Sequence, residues 1–193
     1  MLSVDKHTTD TLIIKQSKFI AHLMPYEKFD EVLELLKVEH PKARHFVTAF
    51  RMLNEYDQIV EGSSDDGEPK GTSGKPTLAV LRGADLINIA VVTVRYFGGT
   101  KLGTGGLVRA YSDATNLVIE NSSLLEYQKE YSSTFECSYS DLGRVEYLLQ
   151  THSITKIDKE FGATQVVVEI SAPMEKIESF YSEAKRLVLS ISP

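Results

Sequence analysis

The period of apolar and polar positions changes several times along the chain, and each change marks an element. Residues 11–26, T-L-I-I-K-Q-S-K-F-I-A-H-L-M-P-Y, are rich in β-branched and aromatic side chains and are closed by Pro25. They predict two short strands parted near Gln16 and Ser17. From 27 to 39, Phe29, Val32, Leu33 and Leu36 recur at i, i+3, i+4 and i+7, the stripe of an amphipathic helix. Pro41 stops it, because proline disfavours helix at the residue before it. Residues 45–53, H-F-V-T-A-F-R-M-L, alternate as a strand. Residues 54–75 lose the periodicity and read as one long polar loop, of the length that is usually functional or disordered. Pro76 suits the first turn of a short helix, T-L-A-V-L-R, ended by Gly83. Residues 89–97 are almost continuously apolar, as a strand covered on both faces requires. A loop with five glycines in nine residues follows, and a second helical stripe begins near Leu107. It continues through Ala110, Tyr111, Ala114, Leu117 and Val118 and frays near Asn121.

After a connection over 121–130 the pattern restarts. It predicts a strand at 132–138, a helix with Ser140 as N-cap and Leu142, Val145, Leu148 and Leu149 inward, and strands at 154–161 and 164–171 around Gly162. A helix at 174–187 and a short strand at 188–191 complete the order β-α-β-β-α-β, that of a ferredoxin-like unit. The expected organisation is therefore two α+β domains, residues 1–126 and 127–193.

Composition narrows the function. The chain has 193 residues, is 42% hydrophobic and 25% charged, and carries a net charge of −6. That balance is ordinary for a globular protein and unlike one that coats nucleic acid non-specifically. The acids are concentrated late: from Glu126 onward there are seven cations and eleven acids. Residues 62–111 carry six cations against four acids, so the glycine-rich region is locally basic. The lone Cys137, in the alternating run S-T-F-E-C-S-Y, reads as a packed small hydrophobe. One cysteine, no apolar segment of about 20 residues and no signal-like start lead to the expectation of a cytoplasmic protein with no membrane contact.

Candidate chemistry centres on V-V-T-V-R-Y-F-G-G-T-K-L-G-T-G-G-L-V-R-A-Y, Val91 to Tyr111. A strand, a glycine loop and a helix start form an anion-binding arrangement, since glycines admit a ligand close to the backbone and the helix start presents free N–H groups. Gly98, Gly99, Thr100, Lys101, Gly103, Gly105 and Gly106, with Arg95 and Arg109, are the expected phosphate-binding set. Lys75, His45 and Arg51 are expected nearby. A second loop, Asp65, Asp66, Gly67, Glu68, Pro69, Gly71, Thr72 and Gly74, forms the other half of the site. Both standard nucleotide fingerprints fail. Gly74-Lys75 is followed by Pro76 and Pro69 occupies the first P-loop glycine position; Gly103-Thr104-Gly105 has Val108 where a dinucleotide fold needs its third glycine. The histidines lack zinc spacing, and no metal or other cofactor is expected. Ser73 reads as a turn former. Alternation leaves at most one of Tyr96 and Phe97 free to stack on a base.

S-S-D-D-G-E-P-K-G-T-S-G-K-P-T-L-A-V-L followed by the glycine block resembles the Impact family, also called the uncharacterised protein family 0029. Gln16-Ser17-Lys18-Phe19-Ile20-Ala21 matches that family's K-S-K-F-I-A element, and the C-terminal part is similar to the ferredoxin-like domain appended to bacterial members. The resemblance implies an N-terminal domain with a left-handed β-α-β crossover, similar to domain IV of elongation factor G and to a small-subunit ribosomal protein domain. It implies a C-terminal domain similar to the elongation factor's domain V. Those relatives contact ribosomal RNA, so the fold analogy implies a translation-linked role. Eukaryotic members regulate a starvation-responsive kinase acting on translation initiation, a mechanism not carried over here. The chain departs from the family's H-x-C-x-A-x-R at Val47, which removes any thiol role there, and has Ser73 in its G-T-A-G element.

Three functions follow. The favoured one is a non-catalytic regulator or accessory factor that binds RNA or a ribosome-associated partner. An alternative is an enzyme acting on a phosphorylated small molecule or nucleotide, with Mg²⁺ held by Asp65, Asp66 and Glu68. The third is a protein-interaction module whose acidic C-terminal domain receives the partner.

Overall fold

The buried strand at residues 89–96 organises the first half of the molecule. The computed structural model describes residues 1–192, which divide into two compact units, Met1–Tyr127 and Gln128 onward. In chain order the first unit contains β1 (Leu2–Ser3), β2 (Thr8–Ile14), β3 (Ser17–Pro25), α1 (Phe29–Glu39), β4 (His45–Leu53), β5 (Ile59–Ser64), α2 (Gly74–Gly83), β6 (Ile89–Tyr96), α3 (Gly103–Glu120) and β7 (Leu125–Glu126). A single 3₁₀ turn, Tyr26–Lys28, leads into α1. The main sheet runs β2-β3-β6-β4-β5 with every neighbouring pair antiparallel, while β1 pairs with β7.

The central strand β6 is buried from Ile89 to Arg95 because both of its faces are covered. Ala90, Val92 and Val94 pack with Ile20 and Met24 against Val32 and Leu36 of α1. Ile89 and Val91 share the opposite core with Leu81 of α2 and Leu107, Ala110, Tyr111 and Val118 of α3. Two β-α-β connections result. β3 and β4 are both antiparallel to β6 and are joined through α1, while β5 and β6 are both antiparallel to β4 and are joined through α2.

Two expectations need correction. Residues 54–75 are not one loop: Ile59–Ser64 pairs with β4 from Leu53↔Ile59 to Thr48↔Ser64, leaving the short turn at 54–58 and the loop at 65–73 outside regular structure. The strand escaped notice because it is a polar edge strand with Gly62 inside it, and Gly62 is there because the Phe50 ring occupies the space of a side chain, 2.3 Å from an ideal Cβ. The glycine loop is also shorter than its composition suggests. Helix α3 starts at Gly103, so Gly103, Gly105 and Gly106 lie within its first turns.

The second unit contains β8 (Tyr131–Ser138), α4 (Leu142–Thr151), β9 (Lys156–Phe161), β10 (Gln165–Ala172), α5 (Met174–Ala184) and β11 (Val188–Ser192). Its sheet order β11-β8-β10-β9, all antiparallel, is that of a ferredoxin-like fold. Phe135, Val168 and Ile170 from the strands meet Val145, Leu149, Ile177 and Phe180 from the helices in its core. Asp141, not Ser140, is the N-cap residue of α4; the Ser140 hydroxyl is bonded to Ser138 at 2.7 Å. Cys137 is buried, and burial, then Asp141 and Glu146, push its thiol up, as befits an inert core residue.

Candidate anion-binding site

Antiparallel pairing of β4 with β6 places His45 opposite Arg95. It brings the basic turn before β4 beside the end of β6. There Lys42, Arg44, His45, Arg95, Tyr96 and Phe97 line a cleft of about 400 Å³. Lys42 and Arg44 are exposed and have no ion pair among the described residues. Sequence reasoning omitted both from the site. The signal was P-K-A-R-H, two cations delivered to the start of a predicted strand.

The 65–73 loop is fastened to the same end of the sheet. His45 Nδ1 donates to the Asp66 carbonyl at 2.8 Å, and the Phe46 N–H donates to the Asp66 carboxylate at 2.6 Å. Asp65 holds the loop together from inside. It accepts from Gly71 N–H at 2.6 Å, Ser73 Oγ at 2.7 Å, Gly74 N–H at 2.9 Å and Ser73 N–H at 3.2 Å. Burial opposes ionisation of Asp65, but these four donors outweigh it and hold the carboxyl below its ordinary value. The Thr72 hydroxyl and N–H both bond the Pro69 carbonyl.

Glu68 enters the core. Arg95 Nη1 lies 2.5 Å from it and the Tyr111 hydroxyl donates to it at 2.8 Å. Burial, then the Glu68 charge, drive the Tyr111 phenol far above its ordinary value, so it stays a donor. The Arg95 guanidinium also lies 5.4 Å from the Phe19 ring centre and 5.9 Å from that of Phe97. This geometry corrects the expectation for Arg95 and bears on the Mg²⁺ alternative. Arg95 is neutralised by Glu68 and is only 7% exposed, so it does not act as a free phosphate cation. Asp65, Asp66 and Glu68 turn to three different partners, so the Mg²⁺ set is not assembled; no cluster of three metal-ligating side chains occurs among the described residues.

Arg51 is also displaced from the site. It lies six positions beyond His45 on β4, about 20 Å at strand spacing. There it is held by Glu61 at 2.7 Å and the Leu86 carbonyl at 2.8 Å. The remaining predicted residues lie in or beside the glycine loop or at the start of α2. Thr100, Lys101 and Arg109 are exposed, as is Lys75 in the first turn of α2. No side chain caps α3, whose N-cap residue is Leu102, so its first-turn N–H groups are left for a ligand or water. Gly98 anchors the loop. Its N–H bonds Ser17 Oγ at 3.1 Å, and an ideal Cβ there would lie 2.0 Å from the Gln16 carbonyl carbon. Gly99 and Gly103 have φ of 86° and 73°, a conformation glycine adopts freely.

The fold and the two loops are those of a known family. The Impact N-terminal domain matches residues 15–119, and a domain of unknown function, DUF1949, matches residues 135–184. The chain belongs to the Impact family. It is 37% identical to an IMPACT family member of Haemophilus influenzae, with 88% of this chain and 84% of that one covered. It is 37% identical to the IMPACT family member YigZ of Escherichia coli, with 86% and 83% covered. A crystal structure of a hypothetical protein, 34% identical, covers 95% of this chain and is itself 91% covered, at a TM-score of 0.67. No helix among the described residues is long and apolar enough to cross a membrane.

Proposed function

We propose that the protein is a non-catalytic, translation-linked accessory factor that binds RNA phosphates at the cationic end of its N-terminal unit. The observation that carries this reading is the gathering of Lys42 and Arg44 at the cleft, with Lys101, Arg109 and the uncapped start of α3 on the adjoining loop and helix. All four side chains are exposed, in a protein whose net charge is −6. Local cations on an acidic body favour a confined phosphate contact over general coating of nucleic acid. Membership of the Impact family supports the translational context, through its similarity to elongation-factor domains that meet ribosomal RNA.

The test is fluorescence anisotropy of a labelled RNA across a salt series with wild type, Lys101→Ala and Arg44→Ala. Each lost phosphate contact lowers the slope of log affinity against log salt by roughly 0.7–0.9. Unchanged affinity and slope in both variants would sink the site.

A further inference from the structure

The cleft and the glycine loop differ in what they offer a ligand. The loop and the α3 start present N–H groups and cations, which suit phosphate alone. The cleft adds an aromatic floor and a dipolar wall. Phe97 is 57% exposed at its edge, with the Arg95 guanidinium 5.9 Å from its ring centre. Tyr96 is tied back, its hydroxyl 2.9 Å from His40 Nδ1, so Phe97 is the free ring of the pair. Arg95 is nine-tenths buried in the cleft wall, and its Nε has no hydrogen-bond partner. His45 spends Nδ1 on the Asp66 carbonyl, which leaves Nε2 as its remaining polar atom. Lys42 and Arg44 complete the lining with two exposed charges.

We infer that this cleft takes a single unpaired nucleotide, its base stacked on Phe97 and its phosphate met by Lys42 and Arg44. The inference rests on the RNA-binding reading above and sharpens it from phosphate contact to recognition of a single-stranded element. The volume of about 400 Å³ lies in the range of small-ligand sites. A duplex keeps its bases stacked on each other and cannot offer a π-face, whereas loops, bulges and ends splay bases onto aromatic side chains. The pairing of an exposed ring with flanking cations is the arrangement that binds single strands with little sequence preference.

The protein has no tryptophan, so Phe97→Trp places one reporter at the cleft. Position 97 is exposed, and circular dichroism checks that the variant is folded. Its fluorescence is titrated with each nucleoside monophosphate, with ribose 5-phosphate, with a single-stranded oligoribonucleotide and with a blunt RNA duplex. Quenching by the monophosphates and the single strand, and not by ribose 5-phosphate or the duplex, is the expected result. In a parallel anisotropy assay, Phe97→Ala weakens single-strand binding about 10-fold or more and leaves duplex binding unchanged. Quenching by monophosphates without any RNA binding keeps the nucleotide cleft, makes its ligand a free nucleotide and removes the RNA reading. RNA binding that depends on Lys101 while the tryptophan stays silent overturns the cleft inference and leaves the RNA reading standing. Silence in both assays overturns both.

Discussion

Glu68 Oε1 and Arg95 Nη1 lie 2.5 Å apart across 27 residues of chain, with both side chains almost wholly buried. The pair clips the 65–73 loop to the end of β6, and Tyr111 extends the clip to α3. Removing one partner leaves the other charge buried alone. Glu68→Ala is expected to cost about 3–5 kcal/mol, and Glu68→Leu with Arg95→Met to recover most of it. Urea denaturation of the single and double variants measures this. A loss below about 1 kcal/mol for Glu68→Ala would mean the pair does not hold the loop.

Asp65 organises the same loop from within. Asp65→Asn keeps the shape but loses the charge and sets an NH2 donor against a donor on one side of the group, Gly71 N–H if the amide oxygen keeps the other three bonds, at an expected cost of about 2–3 kcal/mol. Amide exchange should accelerate first at Gly71, Ser73 and Gly74. The folded carboxyl is held below its ordinary value, so its contribution is complete above the unfolded value of about 3.9 and is lost as pH falls through the folded one. The stability gap between wild type and Asp65→Asn should therefore narrow in that acid range and stay constant above it.

His22 carries a second pH dependence, at a different part of the sheet. Burial, then the charges of His7 and His40, lower its value to about 4. His7 Nε2 lies 3.1 Å from His22 Nδ1, and burial lowers His7 as well. A histidine kept neutral in the fold stabilises fully above its unfolded value of about 6.5, and that stability drains as pH falls toward 4. The expected loss is about 2–3 kcal/mol over this window. His22→Gln should flatten the wild-type curve there in chemical denaturation; an unchanged slope would remove His22 as its source.

The glycines divide by neighbourhood. Gly98→Ala drives a methyl into the backbone of Gln16 and Ser17 and should cost about 2–3 kcal/mol or more. An ideal Cβ at Gly105 meets nothing within 4 Å, inside a helix. Gly105→Ala should therefore stabilise by about 0.5–1 kcal/mol. Thermal melting that ranks the two variants the other way would contradict the packing of Gly98 against Gln16 and Ser17.

Much of the fold is legible where one physical signal dominates. The apolar run of β6 announces a strand covered on both faces, and the stripes of α1 and α3 announce the helices that cover it. Edge strand β5 is different: Gly62, Ser63 and Ser64 carry no strand signal, and only the pairing with β4 and the Phe50 ring make it one. The start of α3 is obscured because three of its first four residues are glycines, which disfavour helix locally. At the site, the loops and His45 are readable from composition. The neutralisation of Arg95 is not, since nothing local connects it with Glu68. Arg51 fails for a related reason: alternation gives the face of a strand, not the distance along it.

The glycine-rich first turn of α3 sets up a thermodynamic linkage. Gly105, with open space where a Cβ would sit, makes that turn roughly 0.8–1 kcal/mol less favourable than alanine would, and no side chain caps it. An anion seated on those N–H groups supplies the missing cap. Binding and completion of the helix therefore reinforce each other, and part of any ligand's intrinsic affinity is spent forming the turn that receives it. A substitution that preforms the turn raises affinity without touching the ligand. Gly105→Ala, proposed above for stability, should consequently tighten phosphate binding as well.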